Sequence, residues 1–239
     1  VTVPASDAAA PRLARATGAL LLVMAVSAMF AEVAVRANLV VPGDALATAQ
    51  RIQASPDLFR LGFLGYLVAF LCDVPVAVLF YVLLRPVSRT WALLAASFRL
   101  VYTAVVSAFL LQYAQAMLLL EGADHLSALG PEQVHALASF HLDAFSHGFG
   151  AALVFFGIHL ALLGPLLLRS GRVPAVLGVL VGLGGLAYVV DGLLLFAWPA
   201  LHASLSPVLA VLGFSELLLA LWLVLRGVRP VPARVSPQV

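Results

Sequence analysis

Six apolar blocks, each long enough to cross a bilayer and each closed off by arginine, proline or a polar turn, take up most of this chain. A hydrocarbon core of about 30 Å needs about 20 apolar residues in a helix rising 1.5 Å per residue. Lipid offers no partner for a free backbone N–H or C=O, so such blocks fold as helices. The expected fold is all-α: a polytopic membrane protein, a six-transmembrane-helix bundle. The spans read as Leu13 to Val35, Asp57 to Leu84, Thr90 to Leu120, Pro131 to Leu168, Pro174 to Trp198 and Pro207 to Leu225. One membrane domain would then cover residues 13–228, with tails at 1–12 and 229–239. The first block exceeds the apolar core of a signal peptide and no small-residue cleavage site follows it, so it reads as a helix that stays. The fourth, about 38 residues, is some 25 Å too long for the core, so its first turns stand outside or it breaks near Gly148. Pro75 marks a kink in the second. After the first span, Pro42 and Gly43 make a turn, and Asp44 is placed to cap a short interfacial helix, Ala45 to Ala54, in the first outer loop.

Charge sets the orientation. Only 10% of the residues are charged, against about 25% in a soluble domain. All thirteen basic residues are arginine, and most of them mark segment ends. That is a topological pattern and not a nucleic-acid surface. Arg12 and Arg15, Arg85 and Arg89, Arg169 and Arg172, and Arg226, Arg229 and Arg234 fall on one side of a six-span drawing. By the positive-inside rule that side is cytoplasmic, so both termini face the cytoplasm. The opposite connections hold Arg36 and Arg51 among Asp44, Asp57, Glu121, Asp124 and Glu132. Trp91 and Trp198 fit interfacial belts. Without lysine there is no Schiff base, which excludes retinal and pyridoxal phosphate as cofactors. The single Cys72 excludes an internal disulfide and a CxxC metal motif.

Ionisable groups inside a span cost several kcal/mol unless paired or hydrated, so each is a candidate for function. Counted from the arginine markers, Asp73 lies about 18 Å and Arg99 about 15 Å into the membrane. The turn between their helices is short, which makes the helices antiparallel neighbours and lets the two side chains pair. His159 and Glu216 reach about the same depth. This layer reads either as an ion pair fixing register or as the lining of a cavity. Nearer the outer face stand Glu32, Arg60, Asp143, His147 and Asp191. Asp143 and His147, four apart, share a helical face where a carboxylate and an imidazole could hold a divalent metal, with Glu32, Asp191 or His141 completing the ligands. Local salt bridges, Glu32 with Arg36 and Asp57 with Arg60, are the plainer account. The glycines Gly178, Gly182, Gly184 and Gly185 lie in an apolar span, so they read as close helix packing and not as a nucleotide loop. Ser146 beside His147 is no catalytic signature, and a haem held by His147 and His202 is disfavoured because His202 reads as outer loop.

The stretches EVAVRANLVVPGDA (from Glu32), DLFRLGF, FLCDV, FRLVYTA, VFFGIHLALLG, GLAYVVD and SELLLALWLVLRG together resemble the bacterial membrane family known as domain of unknown function 4386. The resemblance runs over nearly the whole chain. It implies a six-helix protein of the bacterial inner (plasma) membrane and a shared pattern at Glu32, Arg60, Asp73, Arg99, Asp143, His159, Asp191 and Glu216. Around HLDAFSHGFG the chain departs from it, with Phe145 where members more often carry a polar residue, so His147 is not carried over. Three functions stay open: a protein that binds or transports a small or lipid-soluble ligand, ion or proton in a polar intramembrane cavity, a membrane-embedded enzyme acting on a lipid-like substrate, and a structural partner. Two polar layers on several helices favour the first.

Overall fold

The computed structural model describes residues 9–122 and 128–228, and every regular element among them is helical. The chain order is α1 (Ala10–Met29), a π-helical stretch (Phe30–Arg36), α2 (Ala37–Leu39), α3 (Ala45–Ala54), α4 (Pro56–Leu84), α5 (Arg89–Glu121), α6 (Pro131–Ser170), α7 (Ala175–Ala197), α8 (Pro199–Gly213) and α9 (Ser215–Leu225). Six continuous stretches are long and apolar enough to span a bilayer: Ala10–Leu39, Pro56–Leu84, Arg89–Glu121, Pro131–Ser170, Ala175–Ala197 and Pro199–Leu225. The protein is a multi-pass membrane protein. Large apolar side chains such as Val26, Leu71 and Leu225 point outward, as a lipid-facing surface requires.

Local chemistry explains the ends. The Asp44 carboxylate accepts from the Ala47 N–H at 2.8 Å and starts α3. Pro56 and Pro131 open α4 and α6, where a missing N–H costs nothing. Gly171 ends α6 at φ 63°, a conformation that a side chain resists. Several expected boundaries shift. The first span runs on to Leu39 because Arg36 folds back onto Glu32 one turn earlier and so stays within the helix. Pro75 does not interrupt α4, and α6 continues unbroken through Gly148. The sixth span starts at Pro199, not Pro207, which lies inside α8, and it breaks at Phe214. His202 is therefore helical and not part of an outer loop. Arg229, Arg234, Asp124, residues 1–8 and residues 229–239 lie outside the described residues.

The spans form a ring in sequence order. α1 packs on α4, α4 on α5, α5 on α6 and α6 on α7, and α9 returns to α1. A Cβ built at Gly227 would lie 3.9 Å from the Pro11 carbonyl oxygen, so the two ends of the described chain meet. The α6–α7 seam is the closest. A Cβ at Gly157 would stand 2.6 Å from the Gly185 carbonyl oxygen, and one at Gly164 would stand 2.6 Å from that of Gly178. Only glycine lets the two backbones approach so nearly. α8 behaves differently: it rests on α7 and buries none of its residues. The ring is thus tight in the half that holds α9 and loose in the half that holds α8.

Candidate functional site

Two polar centres occupy the ring, one in each half. The inner centre is built on Arg99 of α5, which is wholly enclosed. Its Nε donates to Asp73 Oδ1 of α4 at 2.8 Å, and its Nη2 donates to the same oxygen at 2.5 Å. Nη1 donates to Glu216 Oε1 of α9 at 2.5 Å and faces His159 Nε2 of α6 at 3.1 Å. Nη2 also points to the Met24 sulfur on α1 at 3.5 Å. Thr103 donates to the second oxygen of Asp73 at 2.9 Å. The Phe80 and Phe156 rings lie 6.0 and 5.3 Å from the guanidinium carbon, within cation–π range. One forked cation thereby ties together five of the six spans. The structure brings Asp73, Arg99, His159 and Glu216 together, with the other three each meeting Arg99.

The outer centre is a cavity of about 500 Å³. It lies where α8 leaves the ring, between the π-helical stretch, α4, α6, α7 and α8. Glu32, Arg36 and Tyr66 line one wall and Asp191 and His202 the other, with Phe145, Phe149, Leu153 and Leu195 between them. Arg36 grips Glu32 through Nε at 3.0 Å and Nη2 at 2.6 Å, and its Nη1 donates to Ser146 Oγ at 3.0 Å. The Tyr66 hydroxyl also donates to Glu32. Across the cavity, His202 Nε2 stands 3.3 Å from Asp191 Oδ1 without the alignment of a hydrogen bond, so that buried oxygen has no hydrogen-bond partner.

Of the residues expected at the outer layer, Glu32, His147 and Asp191 line this cavity. Asp143 does not. It lines a separate recess of about 320 Å³ beside Pro42, Asp44 and Ser139, beneath α3. His147 turns Nδ1 to the Asp143 backbone carbonyl at 2.9 Å, not to its carboxylate, so the four-residue spacing reports helix geometry. His141 pairs with Gln112 at 2.6 Å. Among the described residues no three His, Cys, Asp or Glu side chains are grouped to hold a metal ion. Arg60 also lies away from the cavity: one turn into α4, it bridges Asp57 at 2.9 Å and Glu121 at 2.8 Å on the exposed end of the bundle. Arg36, Tyr66, Ser146, His202 and Ser206 are the polar lining residues that sequence reasoning left out of the site. Tyr66 carried no signal, because a phenol in an apolar helix differs little from Phe until its hydroxyl has an address.

An integral membrane protein with a buried ionic cluster on Arg99 and a polar cavity beside α8 is the class that this fold defines. The chain belongs to the family described as Domain of unknown function (DUF4386), which it matches over residues 16–227. It is 32% identical over 178 residues to an uncharacterised protein of Archaeoglobus fulgidus, covering 74% of this chain and 88% of that one. No solved structure matches.

Proposed function

We propose that the outer cavity binds a small amphiphilic molecule taken from the bilayer, and that the protein acts as a binding or transport protein for it. The observation that carries this reading is the cavity itself: about 500 Å³, within the range of small-ligand sites. It has polar groups at two ends and an aromatic and aliphatic floor. Its ligand would be apolar in the middle and would present a hydrogen-bond donor to Asp191 Oδ1, the oxygen without a hydrogen-bond partner. A lipid-like molecule needs a sideways entry, and the loose half of the ring beside α8 supplies one. The same reading takes residues 13–228 as the membrane domain and puts Arg12, Arg15, Arg85, Arg89, Arg169, Arg172 and Arg226 at the cytoplasmic face of a bacterial inner membrane.

Native mass spectrometry of protein released gently from membranes tests it. A bound small molecule or lipid should accompany the wild type and fall at least tenfold in occupancy in Ser206→Trp, which fills the cavity from α8. Asp191→Asn should weaken the same species while the fold survives. Equal occupancy in all three proteins would sink the proposal.

A further inference from the structure

We propose that the Arg99 cluster is a proton-binding site, holding one proton that exchanges with water by way of the recess beside Tyr188. The case begins with a charge count. Asp73 and Glu216 bring two negative charges and Arg99 one positive, so with a neutral imidazole the cluster sums to minus one. His159 is neutral by geometry. Its Nδ1 faces the Ala95 carbonyl oxygen at 2.9 Å, which accepts only, so Nδ1 carries the hydrogen. Its Nε2 faces Arg99 Nη1 at 3.1 Å, which donates only, so Nε2 keeps its lone pair. An unbalanced charge in this setting costs several kcal/mol, and one bound proton removes it.

Glu216 is the natural carrier. Asp73 Oδ1 accepts two N–H groups of Arg99, and its Oδ2 shares the Thr103 hydroxyl with the Arg99 carbonyl oxygen, whereas Glu216 accepts from Arg99 through Oε1. Its side chain is 9% exposed and that of Arg99 is 0%. The titratable and charged groups around it are Arg99 and Tyr102 of α5, Asp73 of α4 and Tyr188 of α7, with His159 of α6 on the same Arg99 nitrogen.

A route leads outward. A recess of about 300 Å³ is lined by Tyr188, Asp191, Ala210, Gly213 and Phe214, and it shares Asp191 and Leu153 with the outer cavity. Glu216 follows Phe214 by two residues. Two buried oxygens without hydrogen-bond partners, Asp191 Oδ1 and Ser215 Oγ, belong to this stretch: the first lines the recess, and the second directly follows the lining Phe214. Buried polar atoms left in this way mark places where water can stand. The inference does not depend on a ligand in the outer cavity. It gives the protein a second cargo, a proton, delivered to the midplane from the outer half of the ring.

Infrared spectroscopy of the purified protein reads the proton directly. The wild type should show a carboxylic-acid C=O band that is lost in Glu216→Gln, because the amide removes the excess charge and with it the need for a proton. Asp73→Asn removes the same charge and should also lose the band, which keeps the test open if Glu216→Gln fails to fold. The wild-type band should shift in heavy water, and Ala210→Trp, which fills the recess, should slow that shift at least tenfold. A spectrum unchanged by either carboxylate replacement, or a band that never shifts, would overturn the proton site. An unchanged exchange rate in Ala210→Trp would overturn the route.

Discussion

Arg99 has five N–H donors, and the fold brings acceptors to them from α1, α4, α6 and α9. Removing such a cation leaves the buried Asp73 and Glu216 without their shared partner. Arg99→Ala is expected to cost about 3–5 kcal/mol, measured as loss of thermal stability in detergent. Arg99→Met combined with Asp73→Asn should cost clearly less, since only Glu216 is then left without its partner. Equal losses would show that the two residues are not coupled. The depth of Asp73, Arg99, His159 and Glu216 was legible in the sequence because rise per residue is fixed. Direction around each helix axis was not, since it depends on how neighbours rotate to pack. That is why Asp143, sharing a helical face with His147, lines a recess of its own. It is also why Arg36 was read as half of a surface pair although it reaches Ser146, 110 residues away.

At the scale of elements, the α6–α7 seam separates glycines that are needed from glycines that are merely present. A Cβ at Gly185 would come within 2.3 Å of the Ala161 amide nitrogen, but one at Gly182 meets nothing nearer than 3.8 Å. Gly185→Ala is expected to destabilise by about 1–3 kcal/mol and Gly182→Ala by no more than about 0.5 kcal/mol, compared by thermal melting in one detergent. Matching effects would mean that the seam is not so close. The stretch of glycines announced close packing, and proline and charge announced most helix ends. The break at Phe214 had no such notice. Neither Gly213 nor Phe214 is a strong stop inside an apolar span, and Pro207 drew attention as a false start. What marks the break is tertiary: Leu212 and Ser215, on either side of it, both pack on Gly184 of α7.

At the scale of the whole molecule, six spans closed in sequence order put the 85–89 turn and the 171–174 turn at one end, and the end of α5 at Glu121 and the start of α6 at Pro131 at the other. With Cys72 replaced by alanine, a membrane-impermeant thiol reagent applied to intact cells should label Ala128→Cys and spare Val87→Cys. The reverse pattern would invert the proposed orientation. The ring also has a history in synthesis. Asp73 and Arg99 are 26 residues apart on adjoining helices, so the hairpin of α4 and α5 can enter the membrane with its charges already matched. His159 follows 60 residues after Arg99, and Glu216 comes last, 117 residues after it. The guanidinium therefore need never meet lipid alone while the chain is being made. The helix that supplies the second carboxylate is the one that closes the ring, so the cluster can be completed only when the protein itself is.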